Sequence, residues 1–127
     1  MDGKRFVIAG LVAGTMLAGA VPAHANDADV IRRGSCSGAS DWKLKLSPED
    51  GRIEVEFEVD QDRVGQTWAV RIVQDGQQIF AGRRITRAPS GSFEVELRAQ
   101  NTAGDDTFRA SARNVSTGET CVGRATF

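Results

Sequence analysis

The sequence predicts an all-β fold in which two antiparallel sheets pack face to face and one disulfide ties them. Three observations carry this. Apolar and polar residues alternate along several segments, most clearly "RIEVEFEVD" at 52–60, where Ile53, Val55, Phe57 and Val59 are set against Glu54, Glu56, Glu58 and Asp60. Period two is the repeat of a strand with one buried and one wet face. Clusters of Gly, Pro, Asp, Asn and Ser separate these segments at near-regular spacing, without helical periodicity between them. Two cysteines, Cys36 and Cys121, stand near the two ends of the patterned region.

The first 25 residues differ in kind. Lys4 and Arg5 precede an apolar run from Phe6 to Val21, and Pro22 leads into "AHA" at 23–25. This is the layout of a cleavable secretory signal peptide. The run is shorter than the ~20 apolar residues that span a bilayer, so cleavage after Ala25 and a secreted, extracellular product are expected. No second apolar stretch would anchor what remains. Cleavage removes two of the 16 basic and one of the 17 acidic residues, taking the net charge from −1 to −2, and it removes His24, the only histidine. The remaining 102 residues make one domain's worth of chain.

In an oxidising compartment the two cysteines have one intramolecular pairing, Cys36 with Cys121. A structural metal site needs about four ligands from Cys, His or carboxylate, and no Cys-x-x-Cys spacing supports a redox motif, so the pair reads as a staple.

Residues 26–35 read as a flexible lead-in or an edge strand, and 36–127 as the sandwich. "DWKLKLS" places Trp42, Leu44 and Leu46 on one face and Lys43 and Lys45 on the other, and "SPEDG" at 47–51 turns the chain into 52–60. "QTWAVRIVQ" turns Trp68, Val70 and Ile72 inward. Asp75–Gly76 is a two-residue hairpin signal of type I′, returning through "QQIFAGRRIT". "APSG" at 88–91 breaks that strand, and "SFEVELRA" alternates Phe93, Val95 and Leu97 with Glu94, Glu96 and Arg98. "TFRASARN" carries Phe108, Ala110 and Ala112 inward, and "ETCVGRATF" closes the chain with Cys121, Gly123, Ala125 and Phe127 on one face. Seven strands result.

This order of elements, with Trp68 on the third strand and an Asp-Gly hairpin into the fourth, resembles an immunoglobulin-like or fibronectin type III sandwich. It departs from the former in lacking tyrosine and in the position of its cysteines. "GSCSGASDWKLKLSPEDGRIEVEFEVD", "APSGSF" and "GETCVGRATF" further resemble a group of short secreted proteins of high-GC Gram-positive bacteria that has no assigned activity. An immunoglobulin-like order would put the first, second and fifth strands in one sheet and the other four in the second.

Composition excludes much chemistry. Without histidine or a free thiol, no Ser-His-Asp or Cys-His arrangement can be built, and no phosphate-binding Gly-rich motif occurs. Glu54, Glu56 and Glu58 are spaced like paired catalytic carboxylates, but on a solvated face that cannot raise one of them by enclosure. "DQD" at 60–62 and "NTAGDD" at 101–106 offer oxygens without the order of a calcium loop. No enzyme, metal or cofactor is expected.

Charge is the informative remainder. The first sheet's outer face would carry Lys43, Lys45 and the glutamates; the second would show Arg71, Arg84, Arg109, Arg113 and Arg124, with Arg83 and Arg87 nearby and Phe80 opposite Arg71. Arginine forks suit phosphate and carboxylate. The expected function is a secreted, non-catalytic binding module for an anionic partner, an envelope polymer, a nucleic acid or an acidic protein. Alternatives are self-association, acidic face to basic face or through the fourth strand as an exposed edge, and protease inhibition through "RITRAPSGS" at 84–92.

Overall fold

Strict alternation becomes strand wherever the sequence shows it. The computed structural model describes residues 28–127, and the leader expected over 1–25 lies outside them. Eight strands run in order: β1 Val30–Ser35, β2 Asp41–Glu49, β3 Arg52–Asp60, β4 Thr67–Gln74, β5 Gln77–Ile85, β6 Ser92–Gln100, β7 Thr107–Asn114 and β8 Thr120–Thr126. They form two antiparallel four-stranded sheets, β1-β2-β3-β6 and β5-β4-β7-β8. Among the described residues no helix is long and apolar enough to cross a membrane.

The count of seven strands is corrected to eight. The extra strand is β1, which pairs with β2 from Val30↔Leu46 to Ser35↔Asp41 at the edge of the first sheet. "VIRRGS" lacks alternation because an edge strand is held by backbone pairing and needs no regular buried face. The first turn is also tighter than expected. β2 runs through Pro48 to Glu49, and Asp50 (φ 51°) and Gly51 (φ 77°) alone make the hairpin. Asp75 (φ 49°) and Gly76 (φ 83°) have the positive φ pair of the expected type I′ turn.

The inner faces meet in one core that contains Leu44, Leu46, Ile53, Val55, Phe57, Val59, Trp68, Val70, Ile72 and Phe108. Trp68 and Phe93 touch across the layers with ring centroids 6.0 Å apart, and the Trp68 indole N–H donates to Gln61 Oε1 at 2.9 Å, so its one polar atom is satisfied.

The two sides of the sandwich differ. On one side β1 and β8 approach, and the Cys36–Cys121 disulfide spans 85 residues to join them. The Glu119 carboxylate accepts from the amides of Gly38 and Ser40 and from the Ser40 hydroxyl. The Trp42 ring fills a slot between Gly34 of β1 and Gly123 of β8, where a Cβ on either glycine would lie 2.6 Å from the ring. The other side, between β5 and β6, has no such closure.

Candidate functional site

Register decides what each outer face presents. In β4 the buried Trp68, Val70, Ile72 and Gln74 point inward, so Ala69, Arg71 and Val73 point outward. By pairing, Arg83 stands opposite Ala69, Arg113 opposite Ala69 on the other flank, and Arg109 opposite Val73; Arg124 of β8 stands opposite Arg109. Five arginines, Arg71, Arg83, Arg109, Arg113 and Arg124, thus share the outer face of the second sheet. They sit on a lattice of roughly 6.8 Å along strands and about 4.8 Å between them. Among the described residues no acidic side chain occupies an outward position of these strands, and no ion pair engages these arginines. Arg71 Nε donates to Gln78 Oε1 at 2.7 Å. Like charges directly opposite, as at Arg109 and Arg124, repel unless an anion lies between them.

Two placements differ from expectation, with one cause. A bulge between Ile72 and Val73 shifts the β4–β5 register, so Phe80 lies opposite Ile72 rather than Arg71. The shift also turns Arg84 to the inner side, opposite buried Trp68, where its guanidinium lies 5.1 Å over the Phe80 ring. Arg83 takes the outward place given to Arg84. A bulge without glycine leaves no mark in the hydrophobic pattern, so sequence alone did not reveal it.

The first sheet's outer face is acidic, with its own conflicts. Lys43 stands opposite Glu58 and Lys45 opposite Glu56, and the Lys43–Glu58 pair spans 3.9 Å. Across β3 and β6, Glu56 faces Glu96 and Glu58 faces Glu94. Arg98 faces Glu54 but its guanidinium reaches Glu49 at 2.9 Å. Carboxylate oxygens of Glu54, Glu56 and Glu96 lie within 4.8 Å of one another, close enough to hold a cation. Sequence missed this grouping because Glu96 joins it only through the β3–β6 register.

The same crowding perturbs titration. A shared hydrogen bond with Glu96, then partial desolvation and the charges of Glu49, Glu96 and Glu56, push the Glu54 carboxyl up to about 7. Partial desolvation and a hydrogen bond with Glu56 raise Glu94. A group whose pKa is raised by folding contributes stability that is full below its unfolded value, 4.5 for Glu54, and lost as pH climbs through 7. The protein should therefore gain stability as pH falls from about 8 to about 5, by about 1 kcal/mol after solvent screening of this exposed face. Glu54→Gln should flatten that slope, read by thermal unfolding at several pH values; an unchanged slope would remove the assignment.

The candidate calcium turns have structural work instead. Asp106 is fully buried, and although burial raises its carboxyl, hydrogen bonds from Thr102, Gln74 and others outweigh this and hold it below the usual range. Its oxygens accept from the Thr102 amide and hydroxyl and from Gln74 Nε2. Asp60 Oδ1 accepts from the Asp62 amide.

Beside the arginine face, a groove of about 810 Å³ opens between β5 and β6, with Arg83, Arg84 and Arg87 among its lining residues. The loop that closes one end is rigidly held. Thr86 is buried; its hydroxyl accepts from the Gln66 amide and donates to the Arg63 carbonyl. The Arg87 carbonyl accepts from the amides of Gly91 and Ser92, and the Ala88–Pro89 bond is cis. No family model, curated protein or solved structure matches the chain.

Proposed function

We propose that this chain is a secreted, non-catalytic binding module on an immunoglobulin-like scaffold, which holds an extended polyanion against the second sheet. One observation carries the reading: Arg71, Arg83, Arg109, Arg113 and Arg124 share a face without an acidic outward neighbour or an ion pair among the described residues. A chain of nearly neutral net charge thus keeps one strongly cationic surface. Repeated phosphate or carboxylate groups, as in an anionic envelope polymer, suit a two-dimensional array of guanidinium forks better than a single small anion does. The disulfide fits an oxidising compartment.

Retention on immobilised polyphosphate or heparin tests it. The purified protein should be delayed at low salt and eluted as salt rises, because counterion release weakens such contacts steeply. Arg109→Ser with Arg124→Ser should elute markedly earlier. Passage without delay at low salt would sink the reading.

The protease-inhibitor alternative has less support. Arg87–Ala88 is the bond a trypsin-like protease would cleave, yet the Arg87 carbonyl it must attack already accepts two backbone hydrogen bonds inside a tight turn.

A further inference from the structure

We propose that the edge of β5 accepts an extended acidic peptide as an added strand, its carboxylates read by Arg83, Arg84 and Arg87. The site is separate from the polyanion face except at Arg83, which borders both.

Topology provides the opening. β5 is nine residues long and ends the second sheet, with β4 as its sheet neighbour on one side, so alternate backbone donors and acceptors on the other side lack a strand partner. β6 ends the first sheet on the same side of the sandwich. The groove between them, about 810 Å³, falls within the range of ligand-binding clefts, ~300–1,000 Å³.

Charge then selects the occupant and its edge. Arg83, Arg84 and Arg87 line the groove from β5 and its following loop, whereas Glu58 and Glu94 line it from β3 and β6. An acidic strand is drawn to β5 and kept from β6. Side chains of an added strand alternate between faces. One set would meet Arg84 and Arg87 inside the groove, and the other would lie beside Arg83 on the outer face. Ile85, 49% exposed, offers apolar contact at the mouth.

The arginines are also positioned in advance, which lowers the ordering cost of binding. Arg84 lies over Phe80 at 5.1 Å and donates to the Arg83 carbonyl at 2.9 Å. Arg87 sits on the loop pinned by buried Thr86.

The test uses a fluorescently labelled, capped seven-residue peptide of alternating glutamate and valine, read by anisotropy against the purified protein. Binding is expected, with slowed amide exchange confined mainly to 77–85. Arg84→Gln with Arg87→Gln should weaken it roughly tenfold or more, the loss expected for charge-assisted hydrogen bonds. Two further peptides, N-methylated at one or the other alternate set of amides, keep the charge but block one edge each. Strand addition requires that one set abolish binding and the other spare it. Equal binding of both, no binding of the parent peptide, or an unaffected double variant would each overturn the proposal. The double variant leaves Arg71, Arg109, Arg113 and Arg124 intact, so its retention on the polyanion column reports separately on the proposed function.

Discussion

Replacing Cys36 and Cys121 with alanine should lower stability by as much as roughly 4–5 kcal/mol, the chain-entropy value for a closed loop of 85 residues. That is comparable with the whole net stability of a small domain, ~5–15 kcal/mol. The effect arises in the unfolded chain, whose two ends the bond keeps together. It should therefore leave a second trace: the denaturant m-value should rise in the variant, because the uncrosslinked chain expands more on unfolding. Urea titration of both proteins, with the native protein titrated again under a reducing agent, measures both quantities. A midpoint change worth less than about 1 kcal/mol would mean that noncovalent contacts already close this side. Those contacts are the Glu119 hydrogen bonds to Gly38 and Ser40 and the Trp42 ring between two glycines.

The disulfide, the two-layer fold and the inward residues were legible because each depends on composition or on period two. β3 is the clearest case: Ile53, Val55, Phe57 and Val59 are all fully buried, as alternation requires. What sequence did not reveal depends on pairing across strands. Glu96 enters the carboxylate group only because it stands opposite Glu56. Arg84 left the outer face because of one extra residue, Ile79, on β5, and Arg83 replaced it without altering the total charge. β1 was ambiguous because its pairing uses backbone alone, and Gly34 within it looks like a turn signal although it makes room for Trp42. The outer face of the second sheet therefore carries Arg71, Arg109, Arg113 and Arg124 as expected, with Arg83 in the place expected for Arg84. The groove was invisible, since it exists only where two edges from different sheets come together.

The two faces also explain how a chain of nearly zero net charge avoids being electrostatically bland. Acids gather on β3 and β6 and arginines on β4, β5, β7 and β8, with hydrophobic layers between them. Each face carries like charges directly opposite, Glu56 with Glu96 and Arg109 with Arg124. Such pairs oppose folding. Salt screens such repulsion, and it should accordingly stabilise the free protein more than added neutral solute does.

Gly91→Ala should be among the most damaging substitutions that a single methyl group can make in this protein. Gly91 is buried with φ at 71°, and a Cβ there would fall within 3.0 Å of three backbone atoms of Asp62 and Arg63. Backbone cannot rotate away as a side chain can. The loop at 61–66 is tied to the loop at 86–92 by Gln61 N–H to Gly91 O, Gly65 N–H to Thr86 O and Thr86 N–H to Gln66 O, so displacing one strains the other. Overpacking of about 1–3 kcal/mol adds to about 1–2 kcal/mol for a left-handed alanine, giving a loss of roughly 2–5 kcal/mol. Gly104 supplies the control: its φ is 82°, but nothing lies within 4 Å of its Cβ position. Gly104→Ala should therefore cost only the conformational part, about 1–2 kcal/mol. Urea unfolding of the two variants separates collision from backbone strain. Equal losses would mean that the loops yield, and that the loop bearing Arg87 is not the fixed wall that peptide capture at β5 requires.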